Sequence, residues 1–111
     1  MIGSVVGTGA FRVLRTEGRR VTHGPIRVRF VPAEQAEPRL AFAIGRRFGN
    51  AVERNRARRR LRPAFEQAFE RNQAPIGDVL VSCSRSVLTL THSELAVHVD
   101  GVVRRLEGRR T

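Results

Sequence analysis

A run of basic residues lies in the middle of the chain. Between Gly49 and Arg62 it holds six arginines and two asparagines against one acid, Glu53. So much positive charge on one short element repels itself unless a polyanion neutralises it. Each guanidinium presents a planar fork of donors that matches phosphate oxygens two at a time. These residue types at this density therefore indicate that the protein binds nucleic acid.

The composition of the whole chain indicates the same class of partner. The 111 residues carry a net charge of +11, and all 21 basic residues are arginine. A membrane surface is the second candidate, but no apolar run approaches the roughly 20 residues that cross a bilayer, and no signal peptide opens the chain. The single cysteine, Cys83, excludes an internal disulfide and fits a reducing compartment. We therefore expect a cytoplasmic protein.

Side chains that catalyse hydrolysis are not grouped anywhere in the sequence. The three histidines are not spaced to share a helix face, and Cys83 has no Cys or His at the spacing of metal ligands. No pair of carboxylates is placed to hold two magnesium ions, as a protein nuclease requires. We therefore expect no catalytic residue and no metal site, and we expect any chemistry to reside in a partner.

Apolar residues predict the strands that must support the basic run. Ile26, Val28 and Phe30 alternate with arginines, which predicts a half-buried strand with a basic outer face. Residues 40–44 predict a second strand with its large side chains on one face. The short apolar run 79–83 predicts a central strand.

Helical signals frame these strands. Thr8 and Gly18 bound a short first helix. The basic run opens a long helix with an apolar stripe between Ala57 and Phe69, and Pro63 inside it predicts a kink or a division. A last helix begins at residues 91–94, whose Thr-to-Glu spacing is that of a capping box.

The order of these elements predicts one α+β domain. We expect a small two-layer sandwich over residues 1–111, with a central sheet that helices cover on one face. The ends, at about residues 1–7 and 108–111, are expected to be loose.

The segment from Arg46 to Arg59 resembles the signature of the bacterial ribonuclease P protein component. That signature is a basic pair, a Gly, an Ala-Val, then Arg-Asn-Arg with further basic residues, and the segment here is RRFGNAVERNRARR. The fixed Gly, Ala-Val and Asn would not recur in a generic arginine-rich helix. The likeness extends more weakly, in element order and spacing, from about Phe11 to about Leu106.

The resemblance implies a fold and a function. The fold would be an α+β sandwich of the ribosomal protein S5 domain 2-like type, with a left-handed βαβ crossover against the usual right-handed rule. The function would be that of the protein subunit of a ribonucleoprotein endoribonuclease, which removes the 5′ leader of precursor tRNA. Catalysis would belong to the RNA subunit through its Mg²⁺ ions. The partners implied are that RNA and precursor tRNA, with no membrane and no obligate protein partner.

Site residues are carried over by their place in the motif. The resemblance implies that the RNA subunit is bound by Arg46, Arg47, Asn50, Arg54, Asn55, Arg56, Arg58, Arg59 and Arg62. It implies a cleft for the leader between the first helix and the sheet, lined by Phe11, Arg15, Arg27 and Arg29. Arg15 and Arg29 fall where the family has aromatic residues, and guanidinium planes can also stack on bases.

Two other functions remain open from the residues alone. One is a structural RNA-binding protein of ribosomal type, without a role in catalysis. The other is a DNA-binding module whose arginine helix enters a major groove, although no helix-turn-helix spacing or dimer seam accompanies that helix.

Overall fold

The computed structural model describes residues 3–4, 8–35, 37–72 and 76–108 of the chain. Three helices and five strands, with one short 3₁₀ helix at Arg85–Leu88, make up these ranges. In chain order they are β1 Gly3–Ser4, α1 Thr8–Glu17, β2 Arg19–His23, β3 Ile26–Pro32, β4 Arg39–Phe42, α2 Ala51–Arg71, β5 Gly77–Cys83 and α3 His92–Gly108.

The five strands form one mixed sheet in the order β1-β4-β5-β3-β2. β3 pairs antiparallel with both β2 and β5, whereas β4 pairs parallel with β1 and with β5. β5 is therefore central, as its apolar run predicts. Because α2 joins the parallel neighbours β4 and β5, the fold contains the βαβ crossover that the resemblance implies. The hand of that crossover stays a prediction.

The α+β sandwich is confirmed, but its helices do not all lie on one face. α2 and α3 pack on the main core, which includes Val28, Phe65 and Val99. α1 packs on the opposite face, where Leu14 contacts a small cluster with Ala41 and Leu80. The expectation that helices cover only one face of the sheet is therefore wrong. Successive residues of a strand point to opposite faces, and in β5 the residues on both faces are apolar, so both faces are covered.

Two strands were not predicted from the sequence. β2 follows α1 directly and pairs with β3 through a tight turn, in which Gly24 has the left-handed φ of 58°. β1 lies within the segment 1–7 that we expected to be loose, and it pairs with β4 through its backbone. The rest of that segment, and residues 109–111 of the other end, lie outside the described residues.

The N-termini of α2 and α3 are closed by capping boxes. At α3, Thr91 and Glu94 exchange the two predicted hydrogen bonds, at 3.1 and 2.8 Å. At α2, Asn50 and Glu53 do the same at 2.9 and 3.0 Å. Each box satisfies backbone donors that a helix start leaves free.

α2 continues through Pro63 as one helix of 21 residues. Of the two predicted effects of Pro63, division of the helix is therefore wrong, whereas a kink stays a prediction. Pro63 is exposed, and the helix is held on both sides of it by the buried residues Leu61 and Phe65. Packing of this apolar stripe offsets the missing backbone hydrogen bond, whose absence costs a helix roughly 3 kcal/mol or more.

Candidate nucleic-acid interface

Four arginines at the start of α2 and in the turn before it have no internal partner among the described residues. Arg46 and Arg47 lie exposed in the turn. Phe48, which follows them, is buried, and its backbone N donates a 3.0 Å hydrogen bond to Gly45 O that closes the turn. Arg56 and Arg59 lie exposed on the outer side of the first half of α2. None of the four side chains hydrogen-bonds or pairs with another described residue. We call Arg46, Arg47, Arg56 and Arg59 the arginine surface.

The one acid of the run does not neutralise this surface. Glu53 accepts a hydrogen bond from the side chain of Arg85 at 2.7 Å and one from the backbone N of Asn50. These two contacts, in that order, lower the pKa of Glu53 from 4.5 to about 2. Arg85 also donates to Phe48 O at 2.8 Å. Glu53 therefore fixes the start of α2, and its charge is matched by Arg85, which lies outside the run.

The uncharged members of the motif position its backbone and its arginines. Asn50 is the N-cap of α2 and accepts from the backbone N of Glu53. Asn55 Oδ1 accepts from Arg58 Nη1 at 3.0 Å, and the other end of the Arg58 fork lies 3.5 Å from Ile44 O. The side chain of Asn50 is thus engaged in capping α2, whereas Asn55 orients Arg58 of the predicted site.

The remaining arginines of the run are partly buried. Arg54 and Arg62 are half-buried, and Arg54 Nε is enclosed without a hydrogen-bond partner in the described part of the chain. Arg60 was not among the predicted site residues. Its guanidinium donates to the carbonyls of Val87 and Leu90, so it ties the 3₁₀ helix and the following turn to α2. One run of arginines therefore contains both exposed cations and a structural clamp.

A second basic surface lies on the face of the sheet that carries α1. In the register of β2 and β3, Arg20 is opposite Arg29 and Thr22 is opposite Arg27, so these side chains share a face. Arg29 donates to the backbone O of Arg15, near the end of α1. We call Arg15, Arg20, Arg27 and Arg29 the sheet surface. Sequence reasoning missed Arg20 because it did not predict β2.

α1 lies close to the sheet at this surface. A Cβ on Gly18 would come within 2.9 Å of Arg29 Cβ and still closer to Leu14 O, so this approach requires glycine. The structure thus brings together three of the four residues predicted for the cleft. Phe11 belongs to α1, but its side chain lies outside the described residues.

One acid and two histidines outside these surfaces are engaged in pairs. Arg39 binds Asp78, which is 7% exposed, through two hydrogen bonds of 2.7 and 2.8 Å. His23 Nδ1 lies 3.0 Å from His98 Nδ1. The sequence did not predict this pair, because 75 residues separate its members. Within the described ranges, no three His, Cys, Asp or Glu residues are grouped to hold a metal ion.

Comparison with known proteins identifies the family. The model of the ribonuclease P family matches residues 5–107. The chain is 33% identical over 95 residues to the ribonuclease P protein component of Chloroflexus aurantiacus, which covers 86% of this chain and 70% of that protein. It is 32% identical over 95 residues to that of an Exiguobacterium species, covering 86% and 82% of the two chains. The chain belongs to the ribonuclease P protein family.

Solved structures of this family share the fold. The ribonuclease P protein of Staphylococcus aureus superposes with a TM-score of 0.75 at 18% identity, over 92% of this chain and 93% of that one. The protein from Thermotoga maritima superposes with a TM-score of 0.74 at 20% identity, over 92% of this chain and 96% of that one.

In the part of the chain that the structure describes, no helix is long and apolar enough to cross a bilayer.

Membership decides between the functions left open by the residues. The chain is the protein component of ribonuclease P, the accessory subunit of a ribonucleoprotein endoribonuclease that acts in tRNA processing. None of these findings favours the alternative of a ribosomal-type protein. The resemblance predicted from the arginine motif is therefore confirmed.

Proposed function

We propose that this ribonuclease P protein binds the catalytic RNA subunit through the first half of α2 and holds the 5′ leader of precursor tRNA against the sheet surface. The four cations of the arginine surface carry the first half of the proposal. Their side chains are exposed on a rigid helix and its preceding turn, where folding has left them free to meet phosphates. Asn55 supports this role by holding Arg58 at the edge of the same surface.

The sheet surface supports the second half. A single-stranded leader needs a groove that tracks its backbone and flat groups on which its bases stack. Arg27 is exposed on β3, and Arg29 lies half-buried between β3 and the end of α1. Guanidinium planes at these positions offer both charge and a stacking face. The basic face of the sheet beside α1 is therefore suited to a single strand rather than a duplex.

In this proposal the RNA subunit supplies the chemistry. The protein positions the leader and screens phosphates, and the activation of the attacking water would be supplied by Mg²⁺ bound to the RNA. We place the activity in the cytoplasm, which fits a half-buried free thiol at Cys83.

The RNA-binding half is tested by the salt dependence of assembly. Arg56→Ala/Arg59→Ala should reduce the slope of log affinity against log salt for the RNA subunit by about 2, roughly one unit for each phosphate that is no longer bound. The matched control is Arg71→Ala/Arg104→Ala, which also removes two charges, from side chains that are 51% and 71% exposed and pair with Asp100. Equal slopes for the two double variants would refute the assignment of the arginine surface.

The leader half is tested separately. The reconstituted holoenzyme with Arg27→Ala should bind precursor tRNA more weakly, with its affinity for mature tRNA unchanged. An equal decrease for both substrates would refute the assignment of the sheet surface.

A further inference from the structure

A cavity of about 380 Å³ lies between α2, from Val52 to Gln67, and the start of α3. Its floor is apolar, formed by Ala64 of α2 together with Leu95 and Ala96 of α3. The two alanines keep the cavity open because they present only a methyl group. Its size falls at the low end of the range that encloses small organic ligands.

The rim of this cavity is cationic. Arg56 and Arg59 line it on the side of α2, and both are exposed without a partner among the described residues. Arg60 lines it too, but its guanidinium is held by the carbonyls of Val87 and Leu90. Val52 on the same side is 73% exposed and adds apolar surface to the edge of the cavity. A ligand for this cavity therefore joins an apolar body to a negative charge.

Pro63 leaves one backbone carbonyl of α2 without its helical donor. In an α-helix the carbonyl of Arg59 would accept from the N–H of residue 63, four positions later. Proline has no N–H, so this carbonyl lacks its helical donor, and both residues line the cavity. The α2 side of the cavity thus presents guanidinium donors and apolar contact area, beside a helix turn that has one unused acceptor.

We propose that the cavity holds one unstacked nucleobase of the RNA subunit, with its exocyclic amino group donating to the carbonyl of Arg59. The base lies on the apolar floor, and Arg56 binds the adjoining phosphate. This combination of a flat apolar body, an amino donor and a neighbouring phosphate is that of an unpaired adenine, cytosine or guanine nucleotide. The inference rests on the proposed binding of the RNA subunit by α2 and assigns to that surface a base contact besides its phosphate contacts.

Other occupants fit this chemistry less well. A free phosphate needs the arginines but gains nothing from Ala64, Leu95 and Ala96. An apolar peptide would bury the floor but leave Arg56 and Arg59 beside it without acidic partners. The nucleotide satisfies both parts of the cavity.

The first test uses adenosine 5′-monophosphate and inorganic phosphate as probes of the full chain by NMR. We expect the nucleotide to shift the methyl signals of Ala64 and Ala96 in a saturable way, and phosphate to leave them unchanged. If the two probes produce the same shifts, the cavity binds phosphate only and the base contact is refuted.

The second test uses Pro63→Ala, which supplies the missing N–H to the carbonyl of Arg59. Because alanine suits a helix interior better than proline, this variant should melt at a higher temperature. It should nevertheless bind the RNA subunit about three- to tenfold more weakly, the range that one hydrogen bond is worth. Higher thermal stability with unchanged affinity would refute the role of the carbonyl.

A third pair of variants tests the cavity itself and separates this inference from the proposed function. Ala96→Leu fills the cavity and should also weaken binding, whereas Val97→Leu, at a 63% exposed neighbour on the same helix, should not. Arg46→Ala/Arg47→Ala lies outside the cavity and reports phosphate binding alone. If that double variant binds the RNA subunit more weakly but Ala96→Leu does not, only the base contact is refuted. If the double variant binds as tightly as the wild type, the proposed binding of the RNA subunit is refuted together with the base contact.

Discussion

The two basic surfaces of this protein differ in what folding leaves for a ligand. On the arginine surface, the acid of the run, Glu53, is held by Arg85 and the helix cap, so the four exposed cations stay uncompensated within the described residues. On the sheet, Arg39 is matched by the buried Asp78, and Arg29 donates to the backbone of α1. The first surface consists of exposed cations on one helix and the turn before it, whereas the cations of the sheet lie beside α1 and are partly engaged by the fold.

This difference indicates different kinds of RNA ligand. Uncompensated guanidinium groups on a helix match the regular phosphates of a folded RNA, and their contribution depends strongly on salt. A sheet face with arginines beside α1 suits a flexible strand, whose bases can stack on guanidinium planes while the cations attract its backbone. We therefore expect tight assembly to depend on α2 and discrimination of the substrate to depend on the sheet.

The largest effect is expected when the arginine surface is removed as a whole. A variant with alanine at positions 46, 47, 56 and 59 should bind the RNA subunit at least about a hundredfold more weakly at moderate salt, because about four phosphates are no longer neutralised. Its melting temperature should stay close to that of the wild type, since none of the four side chains has a partner among the described residues. Affinity by filter binding and melting by circular dichroism check both expectations. Retained affinity would remove the distinction between the two surfaces.

A smaller effect of another kind is expected at the structural arginine of the same helix. Arg60→Ala removes two hydrogen bonds to carbonyls and should lower the free energy of unfolding by about 2 kcal/mol. Its salt slope for RNA binding should match that of the wild type. Urea titration measures the stability. A stable Arg60→Ala protein with a reduced salt slope would show that Arg60 contacts RNA instead.

The sheet surface is expected to respond by severalfold. Arg27→Ala should reduce the preference of the holoenzyme for precursor over mature tRNA by about three- to tenfold, near the lower limit of what one stacked base contributes. Arg29→Ala should reduce the same preference and also lower thermal stability, because Arg29 ties α1 to the sheet. Competition binding with both tRNA forms, together with melting curves, separates the two variants. Identical behaviour of the two would contradict the different contacts described for them.

The smallest effect is expected for Glu53, an acid that belongs to neither surface. Glu53 has a pKa of about 2 in the folded protein against an ordinary 4.5, so it stabilises the fold above pH 4.5 and this contribution disappears as pH falls toward 2. The difference in melting temperature between the wild type and Glu53→Gln should therefore be constant above about pH 5 and shrink below it. A difference independent of pH from the neutral range down to about pH 2 would show that the carboxylate charge is not what stabilises the start of α2.

Much of the fold was predictable because it depends on local patterns. The alternation at Ile26, Val28 and Phe30 predicted β3, and the capping spacing at Thr91 predicted the start of α3. β2 was missed because its polar residues surround a single apolar one, Val21, and its place is decided by pairing with β3. The helix is not divided at Pro63 for a similar reason, since tertiary packing of the apolar stripe overrides a local breaker.

The candidate site was predictable in its residue types but less so in their separate roles. The motif identified Arg56, Arg59 and Asn55 together as site residues. Only the folded structure distinguishes the exposed cations from Arg60, whose side chain holds the 3₁₀ helix. Roles of this kind depend on carbonyls that are 27 and 30 residues away in sequence. No local pattern contains that information.

The central claim is that the arginine surface binds the catalytic RNA. Its most direct test is leader removal by a bacterial ribonuclease P RNA at low Mg²⁺, with the wild-type protein, the variant with alanine at positions 46, 47, 56 and 59, or Arg71→Ala/Arg104→Ala. We predict that the wild type and the double variant restore cleavage and that the quadruple alanine variant does not. None of the three proteins should cleave without RNA. Cleavage by the quadruple variant equal to that by the wild type, at limiting protein concentration, would contradict the claim.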